Sequence, residues 1–205
     1  MARRLVEDRR AALLAAAVTV IARDGIAAAS SRAIAREADI PTGAFHYWFG
    51  TLSELHVGLS DWQTNRDTAA IEAALERCSR SRRTDLDSVL DRMLEEIWAS
   101  VEEFPEASVA SYQLTQQLLC DPETAPVAHR QQERYLGAVR DALVRVAGIA
   151  EVRWTTPLPV LTRMTMAFMD GLTLEWVVDR NTRQAKQALR AFSSALQTFA
   201  APAAD

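Results

Sequence analysis

The chain has 205 residues, a formal net charge of −4 and 49% hydrophobic residues, so it is long enough to bury a core without a disulfide or a metal. Its two cysteines, Cys78 and Cys120, have neither metal-site spacing nor the pattern of a disulfide framework. No apolar run approaches the roughly 18 residues of a membrane span and no signal peptide is visible, so the sequence favours a soluble cytoplasmic protein over a membrane or secreted one.

The negative charge is unevenly distributed. Residues 1–56 contain seven arginines and six acidic residues, which is +1, and the remaining 149 residues carry the other five negative charges. An N-terminal segment of this kind can bind phosphates if its arginines gather on one face, although an ordinary solvated surface would have the same composition. The arginines concerned are Arg3, Arg4, Arg9, Arg10, Arg32 and Arg36.

The first predicted elements form a helix-turn-helix. A helix over about residues 6–23 ends at Gly25, and Ser30 can cap a short second helix. Asp39 stands where the chain must turn through a left-handed conformation, which aspartate tolerates better than most residues. A third short helix over about 42–48 then lies exposed, which makes DNA the first partner to consider.

The rest of the chain also predicts helices, with no convincing strand, and the sequence therefore predicts an all-α fold of about nine helices. The later helices are expected to end near Arg77, Val101, Leu119, Gly148, Asp179 and Phe199. Their predicted caps are Thr51 or Ser53, a Thr84–Asp87 capping box, Asp121 before Pro122, and Thr182, while Pro105 and Pro159 open two of them. Residues 148–158 are predicted to be loop and residues 200–205 a frayed tail.

The eighth predicted helix is apolar almost all round, so it needs cover on two sides. A second copy of the chain is the simplest cover, and this predicts a homodimer built on the last two helices, with Gly171 allowing close approach. The large apolar residues expected to divide between the core and that interface are Phe168, Leu172, Trp176, Leu189, Phe192 and Leu196.

Two consecutive segments carry a family resemblance. Residues 30–40, Ser-Ser-Arg-Ala-Ile-Ala-Arg-Glu-Ala-Asp-Ile, and residues 41–51, Pro-Thr-Gly-Ala-Phe-His-Tyr-Trp-Phe-Gly-Thr, strongly resemble the DNA-binding head of the TetR family of transcriptional regulators. The remainder of the chain matches only in helix count and in the Phe-Met-Asp-Gly-Leu stretch at 168–172. The resemblance implies a helix-turn-helix domain over residues 1–50 and a helical effector-binding and dimerisation domain over 51–205.

The resemblance also implies the residues that contact double-stranded DNA. Arg32 would reach a base edge or a phosphate, the two serines before it would lie near phosphates, and the start of the third helix would face bases. The aromatic residues that follow would brace this helix and reach phosphates, while Phe45 and Phe49 would be core. The implied DNA-binding residues are Ser30, Ser31, Arg32, Thr42, Gly43, Ala44, His46, Tyr47 and Trp48.

Three positions depart from the family pattern. Asp39 stands where glycine is usual, Trp48 where histidine or a related polar aromatic is usual, and Leu52 where lysine is common. Losing the lysine removes an expected phosphate contact. Trp48 either keeps the role of the family residue or points into the core of the head.

Catalytic and metal sites have little support in the sequence. His46, His56 and His129 are widely separated and form no ligand-type pair, and neither a nucleophile elbow nor a glycine-rich phosphate loop is present. The sequence therefore predicts neither an enzyme nor a cofactor or metal.

The body contains aromatic, methionine and other side chains that could line an effector cavity, as in this family. Core packing explains any one of them more simply, but a pocket somewhere among them is expected, and its lining predicts an apolar or aromatic effector. The candidate ligand-binding residues are Trp62, Met93, Ile97, Trp98, Tyr112, Gln116, Met164 and Phe168, with Phe104, His129 and Trp176 as further candidates.

Together these features predict a ligand-responsive repressor that binds a palindromic operator as a homodimer. The alternative is a helical small-molecule-binding protein or enzyme that has lost DNA binding, which Leu52 and the acidic net charge mildly favour.

Overall fold

The computed structural model describes residues 2–203, with side chains from residue 9 onward, so the side chains of Arg3 and Arg4 lie outside the described residues. The described chain forms nine α-helices, which confirms the all-α prediction. The helices are α1 (Ala2–Asp24), α2 (Ser31–Glu37), α3 (Thr42–Trp48), α4 (Leu52–Ser79), α5 (Leu86–Glu103), α6 (Pro105–Cys120), α7 (Ala125–Ile149), α8 (Leu158–Asp179) and α9 (Thr182–Gln197). A 3₁₀ turn at Ile26–Ala28 follows α1. None of the described helices is both long and apolar enough to cross a membrane.

Two short strands correct the prediction that the chain has none. Strand β1 (Val152–Trp154) lies in the predicted loop and pairs antiparallel with β2 (Ala200–Pro202), which lies in the predicted frayed tail. Thr155 extends the pairing by donating its backbone N–H to the carbonyl oxygen of Phe199 at 2.7 Å. Three-residue strands are too short to show a period-2 pattern, and their partners are far apart in sequence, so no local signal marked them.

Two predicted helix caps are one residue out of place. Asp85, rather than Thr84, caps α5, because its Oδ1 accepts a hydrogen bond from the backbone N–H of Ser88 at 2.9 Å. Asn181 caps α9, where its Oδ1 accepts from the backbone N–H of Gln184 at 3.1 Å. The hydroxyl of the residue predicted for that cap, Thr182, instead accepts from the indole N–H of Trp176.

The predicted start of α7 also needs correction. Asp121 does not cap the helix directly, because its Oδ1 accepts from the backbone N–H of Glu123 at 2.9 Å and so closes a turn. The helix begins at Ala125, and the hydroxyl of Thr124 donates back to the carbonyl oxygen of Leu118. An aspartate–proline pair suits both a cap and a turn, and here the turn is formed.

The described chain divides into two compact units. Unit 1 comprises residues 1–65 and 104–132, and unit 2 comprises residues 66–103 and 133–205. The predicted domain boundary after residue 50 therefore falls inside unit 1, which also contains α6. The core of unit 1 joins α1, α3 and α6 and includes Leu14, Val18, Ile21, Phe45 and Leu114.

Unit 2 has two buried clusters. One draws on α4, α5, α7, α8 and α9 and includes Leu75, Leu90, Leu143, Leu161 and Leu196. The other joins α5, α8 and α9 and includes Leu94, Trp98, Trp176 and Leu189. The amphipathic sequence of α5 explains its central place, since its apolar positions recur at helical spacing and contribute to both clusters.

Candidate nucleic-acid interface

The turn between α2 and α3 has the conformation that the sequence predicts. Ser30 caps α2, with its Oγ accepting from the backbone N–H of Ala33 at 3.2 Å. Asp39 has a φ of 53°, in the left-handed region, and the backbone N–H of Ile40 donates back to the carbonyl oxygen of Ala35 at 2.9 Å. Pro41 then precedes α3, so the turn is closed by local residues alone.

Helix α3 has one buried face and one open face. Phe45 and Phe49 are buried, with ring centroids 5.8 Å apart, and they anchor α3 to the core of unit 1. On the other face Tyr47 is 77% exposed, and a Cβ placed on Gly43 would meet nothing within 4 Å. Packing within the chain therefore does not explain the small residue at 43, whereas close approach to a groove floor would.

Most of the predicted DNA-binding residues lie at the surface. Six of the nine are exposed, namely Ser30, Arg32, Thr42, Gly43, His46 and Tyr47, whereas Ser31, Ala44 and Trp48 are half-buried. Trp48 packs against the core of unit 1, as in the core alternative for this residue. Its ring is perpendicular to that of Tyr47, with the centroids 5.0 Å apart, so it also supports an exposed aromatic side chain.

The start of α4 is a tight capped turn. The Oγ1 of Thr51 accepts from the backbone N–H of Glu54 at 3.1 Å, and the Oε2 of Glu54 accepts from the backbone N–H of Gly50 at 2.9 Å. This reciprocal pair satisfies two backbone donors at the helix N-terminus. Leu52, where the family commonly has lysine, is 40% exposed, so the substitution leaves an apolar side chain at the surface.

The charged and titratable groups of unit 1 do not all belong to one basic face. Arg10 lies over the ring of Phe49, 5.3 Å from its centroid, and Arg23 pairs with Asp24 and with a glutamate of α2. Arg32, in contrast, is exposed on α2. Burial lowers the pKa of His56, which favours the neutral imidazole. Among the described residues, no three His, Cys, Asp or Glu side chains lie close enough to hold a metal ion.

Gln113 is a structurally important residue that the sequence did not reveal. Its Oε1 accepts from the backbone N–H of Ile26 at 2.9 Å, and its Nε2 donates to the carbonyl oxygen of Ile21 at 3.3 Å. The side chain thus ties α6 to the end of α1, next to Gly25, whose φ is 86°. No local pattern indicates such a contact, because its partners lie 87 and 92 residues away.

Replacing Gln113 by alanine should lower the free energy of unfolding by about 1 to 2 kcal/mol, since two hydrogen bonds are lost and the amide of Ile26 is left without its acceptor. Urea denaturation followed by circular dichroism measures this. Gln117→Ala, on the exposed part of the same helix, is the matched control and should change stability by no more than about 0.5 kcal/mol. Equal stability of the two variants would show that the hydrogen bonds of Gln113 to Ile21 and Ile26 do not stabilise the fold.

The predicted ligand-binding residues are divided between the two units. Trp62, Tyr112 and Gln116 lie in unit 1, whereas Met93, Ile97, Trp98, Met164 and Phe168 lie in unit 2. Several of the second group form core: Met93 and Trp98 are buried, and Phe168 stacks on Phe192 with centroids 3.9 Å apart. Of the polar candidates, Gln116 and His129 are exposed.

A groove of about 350 Å³ opens between α7 and α8 in unit 2. None of the predicted ligand-binding residues lines it. Its walls are Glu133, Leu136, Gly137, Arg140, Pro159, Thr162 and Arg163.

Helix α8 carries exposed apolar side chains in addition to the residues predicted for the core and the interface. Trp176, Leu189 and Leu196 are buried, and Phe168, Leu172 and Phe192 are half-buried against the same clusters. The large apolar side chains left exposed on α8 are Val160, Met164, Leu174 and Val178, and Gly171 lies on the surface among them. The division of the six predicted residues between the core and an interface with a second copy of the chain therefore stays a prediction for the three that are half-buried, whereas the other three are buried within the single chain.

Comparisons with known proteins agree with this geometry. Residues 13–55 match the family model described as bacterial regulatory proteins, tetR family, and residues 87–201 match the model of the BetI-type transcriptional repressor, C-terminal. No curated protein sequence matches this chain.

Several solved structures share the fold. A TetR transcription regulator from Haloarcula marismortui has 18% identity and a TM-score of 0.75, covering 95% of this chain and 100% of that one. The regulator FadR from Bacillus subtilis, solved with stearoyl-CoA, has 15% identity and a TM-score of 0.69, covering 91% and 95%. The multidrug binding protein EbrR, solved with imidazole, has 28% identity and a TM-score of 0.61, covering 92% and 94%. With a head and a body that each match a model of one family, this chain belongs to the TetR family of transcriptional regulators.

Proposed function

We propose that this protein is a ligand-responsive repressor that binds a palindromic operator as a homodimer. The exposed face of α3 carries the proposal, because Thr42, Gly43 and Tyr47 form an open surface that packing within unit 1 does not use. A short helix with small residues at its start can approach the floor of the major groove, and exposed aromatic and arginine side chains can reach phosphates.

Dimerisation follows from the physical character of α8. Its exposed apolar side chains are Val160, Met164, Leu174 and Val178, and their separations of four, ten and four residues place them along one side of the helix. A second copy of the chain would cover this stripe, and a dimer has the two recognition helices that the two half-sites of a palindrome require. In this proposal residues 1–50 bind DNA, and residues 51–205 bind the effector and the second subunit, with the protein acting in the cytoplasm.

A small-molecule effector is proposed because residues 51–205 contain many aromatic side chains and several buried polar ones. Two proteins of the same fold were solved with small molecules, FadR with stearoyl-CoA and EbrR with imidazole. We expect an effector with an apolar or aromatic portion, since all but one of the eight candidate ligand-binding residues are apolar or aromatic. Such a ligand releases the operator only if it prefers the released state.

The test of this function is a gel shift with the intergenic DNA beside the gene of this protein. Retardation at nanomolar protein and about 150 mM salt, resisted by excess unrelated DNA, is the expected result. Binding that is equally strong to unrelated DNA, or that is absent, would contradict the proposal.

A second candidate function is small-molecule binding without specific DNA binding. Leu52 favours it, because an exposed leucine replaces a lysine at the start of α4. Leu52→Lys separates the two candidates, since it should tighten operator binding of a working repressor by adding a phosphate contact. A protein that has lost DNA binding would gain only weak, sequence-independent affinity.

A further inference from the structure

Two glutamine side chains are buried in unit 1 with part of each amide unsatisfied. Gln63, on α4, is 1% exposed, and Gln131, on α7, is 5% exposed. The Nε2 of Gln63 donates to the carbonyl oxygen of Ala107 at 3.2 Å. The Oε1 of Gln63 and the Nε2 of Gln131 are buried and have no hydrogen-bond partner among the described residues.

The orientation of the Gln63 amide is determined by its contact with α6. Reversing the amide would bring Oε1 against the carbonyl oxygen of Ala107, so Nε2 must face that oxygen and Oε1 must face away from it. The free atom of Gln63 is therefore an acceptor. In the orientation that the structure gives the amide of Gln131, its free atom is the donor Nε2, so the two side chains offer an acceptor and a donor to one ligand group.

The sequence positions of the two glutamines place them on facing sides of α4 and α7. Gln63 is one helical turn after Leu59, and Gln131 is one turn after Val127. Leu59 and Val127 both belong to the core of unit 1. One turn further along the same two helices, the hydroxyl of Tyr135 donates to Oδ2 of Asp67 at 2.8 Å. Helices α4 and α7 are therefore in contact one turn beyond the glutamines, and because residues four apart share a helix face, Gln63 and Gln131 are on the sides of the two helices that face each other.

An unsatisfied buried amide costs free energy, and an apolar side chain of the same size would pack there without that cost. Ligand-binding sites are where such groups are expected, because the ligand supplies the missing partners. The polar groups nearby do not favour a charged ligand. A carboxylate would face the free oxygen of Gln63, and an ammonium group would offer no acceptor to Gln131.

Resting on the proposed function, we propose that Gln63 and Gln131 form the polar end of the effector site and bind an uncharged carboxamide or lactam group joined to an apolar body. The amide N–H of such a ligand donates to Oε1 of Gln63, and its carbonyl oxygen accepts from Nε2 of Gln131. Trp62 precedes Gln63 and is half-buried, so its fluorescence can report occupancy.

This site is connected to the DNA-binding head within unit 1. Gln63 contacts the first turn of α6 through Ala107, and α6 contacts the end of α1 through Gln113. A ligand that binds Oε1 of Gln63 therefore holds a side chain that contacts α6, the helix that is tied to the head.

The test uses three probes of one shape: benzamide, benzoate and benzylamine, each titrated into the full-length protein and followed by ligand-observed NMR and tryptophan fluorescence. Benzamide should bind saturably and at least about tenfold more tightly than the other two. Gln63→Leu and Gln131→Leu should each weaken benzamide binding by about tenfold or more. Gln117→Leu, which changes an exposed glutamine of α6, should leave it unchanged.

Both leucine variants should fold with a melting temperature close to that of the wild type or higher, because each removes an unsatisfied buried polar atom, which for Gln63 offsets the lost hydrogen bond to the carbonyl oxygen of Ala107. Absence of benzamide binding, equal binding of the charged probes, or unaltered binding in both leucine variants would overturn the proposal. Operator affinity of the wild-type protein, measured separately without a probe, keeps the two proposals distinct. Failure to bind any operator would refute the repressor function, whereas the existence of the amide-binding site would still be decided by the probe titrations alone.

Discussion

Tyr47→Ala is expected to weaken operator binding by about 1 to 3 kcal/mol, and Arg32→Ala by a similar amount. Tyr47 is 77% exposed, and its ring lies perpendicular to that of Trp48. The side chain is not part of the core, so it is free to contact a phosphate. Arg32 lies on the exposed face of α2. Fluorescence anisotropy with a labelled operator at fixed salt measures both affinities.

The controls separate a lost contact from a damaged fold. Tyr47→Phe keeps the ring and removes only the hydroxyl, so it should weaken binding if the hydroxyl donates to a phosphate. Arg153→Ala removes an exposed arginine from β1 in unit 2 and should leave operator affinity unchanged. All variants should unfold within about 0.5 kcal/mol of the wild type, as surface substitutions usually do. Unaltered affinity in both Tyr47→Ala and Arg32→Ala would show that this surface is not the one that binds DNA.

The parts of the fold that could be predicted from sequence are those encoded locally. The cap at Ser30, the left-handed residue Asp39 and the cap at Thr51 are each recognised from a few neighbouring residues. Helix periodicity then predicts the remaining helices to within a few residues. The helix-turn-helix could be predicted for this reason, since its turn is closed by hydrogen bonds among residues 34–41 alone.

The parts that could not be predicted depend on residues far apart in the sequence. Gln113 hydrogen-bonds to residues of α1 and of the turn after it, and nothing near Gln113 indicates this. Strand β1 finds its partner only when the chain returns after α9. The inclusion of α6 in unit 1 has the same origin, because it depends on packing between α1 and α6.

The candidate ligand site shows a different kind of limit. Aromatic and methionine residues at helical spacing, such as Trp98 and Met93, are equally suited to a filled core, and both are buried in unit 2. No sequence pattern marks Gln63 and Gln131 as ligand-binding residues, because glutamine is a common surface residue. Only their burial with unsatisfied atoms marks them as unusual.

Replacing both Leu174 and Val178 by glutamate is expected to convert the protein to monomers and to weaken operator binding by about 10² to 10⁴-fold. These side chains are 50% and 79% exposed in the single chain, so the substitutions do not open the core. In a dimer they would be covered, and glutamates there would be buried without partners. A monomer also loses the effective concentration that links two half-sites, which accounts for the size of the loss.

Sedimentation velocity at micromolar protein measures the change of state, and anisotropy measures the change of affinity for the full operator. Val144→Glu is the matched control, since Val144 is a lone apolar side chain on α7 with the same degree of exposure as Leu174. It should leave both the dimer and the operator affinity intact. If the double variant still sediments as a dimer, the α8 stripe is not the interface, and the second subunit must bind to another surface. If it is monomeric yet binds the full operator as tightly as the wild type, a single head suffices, and the palindromic mode of binding is wrong.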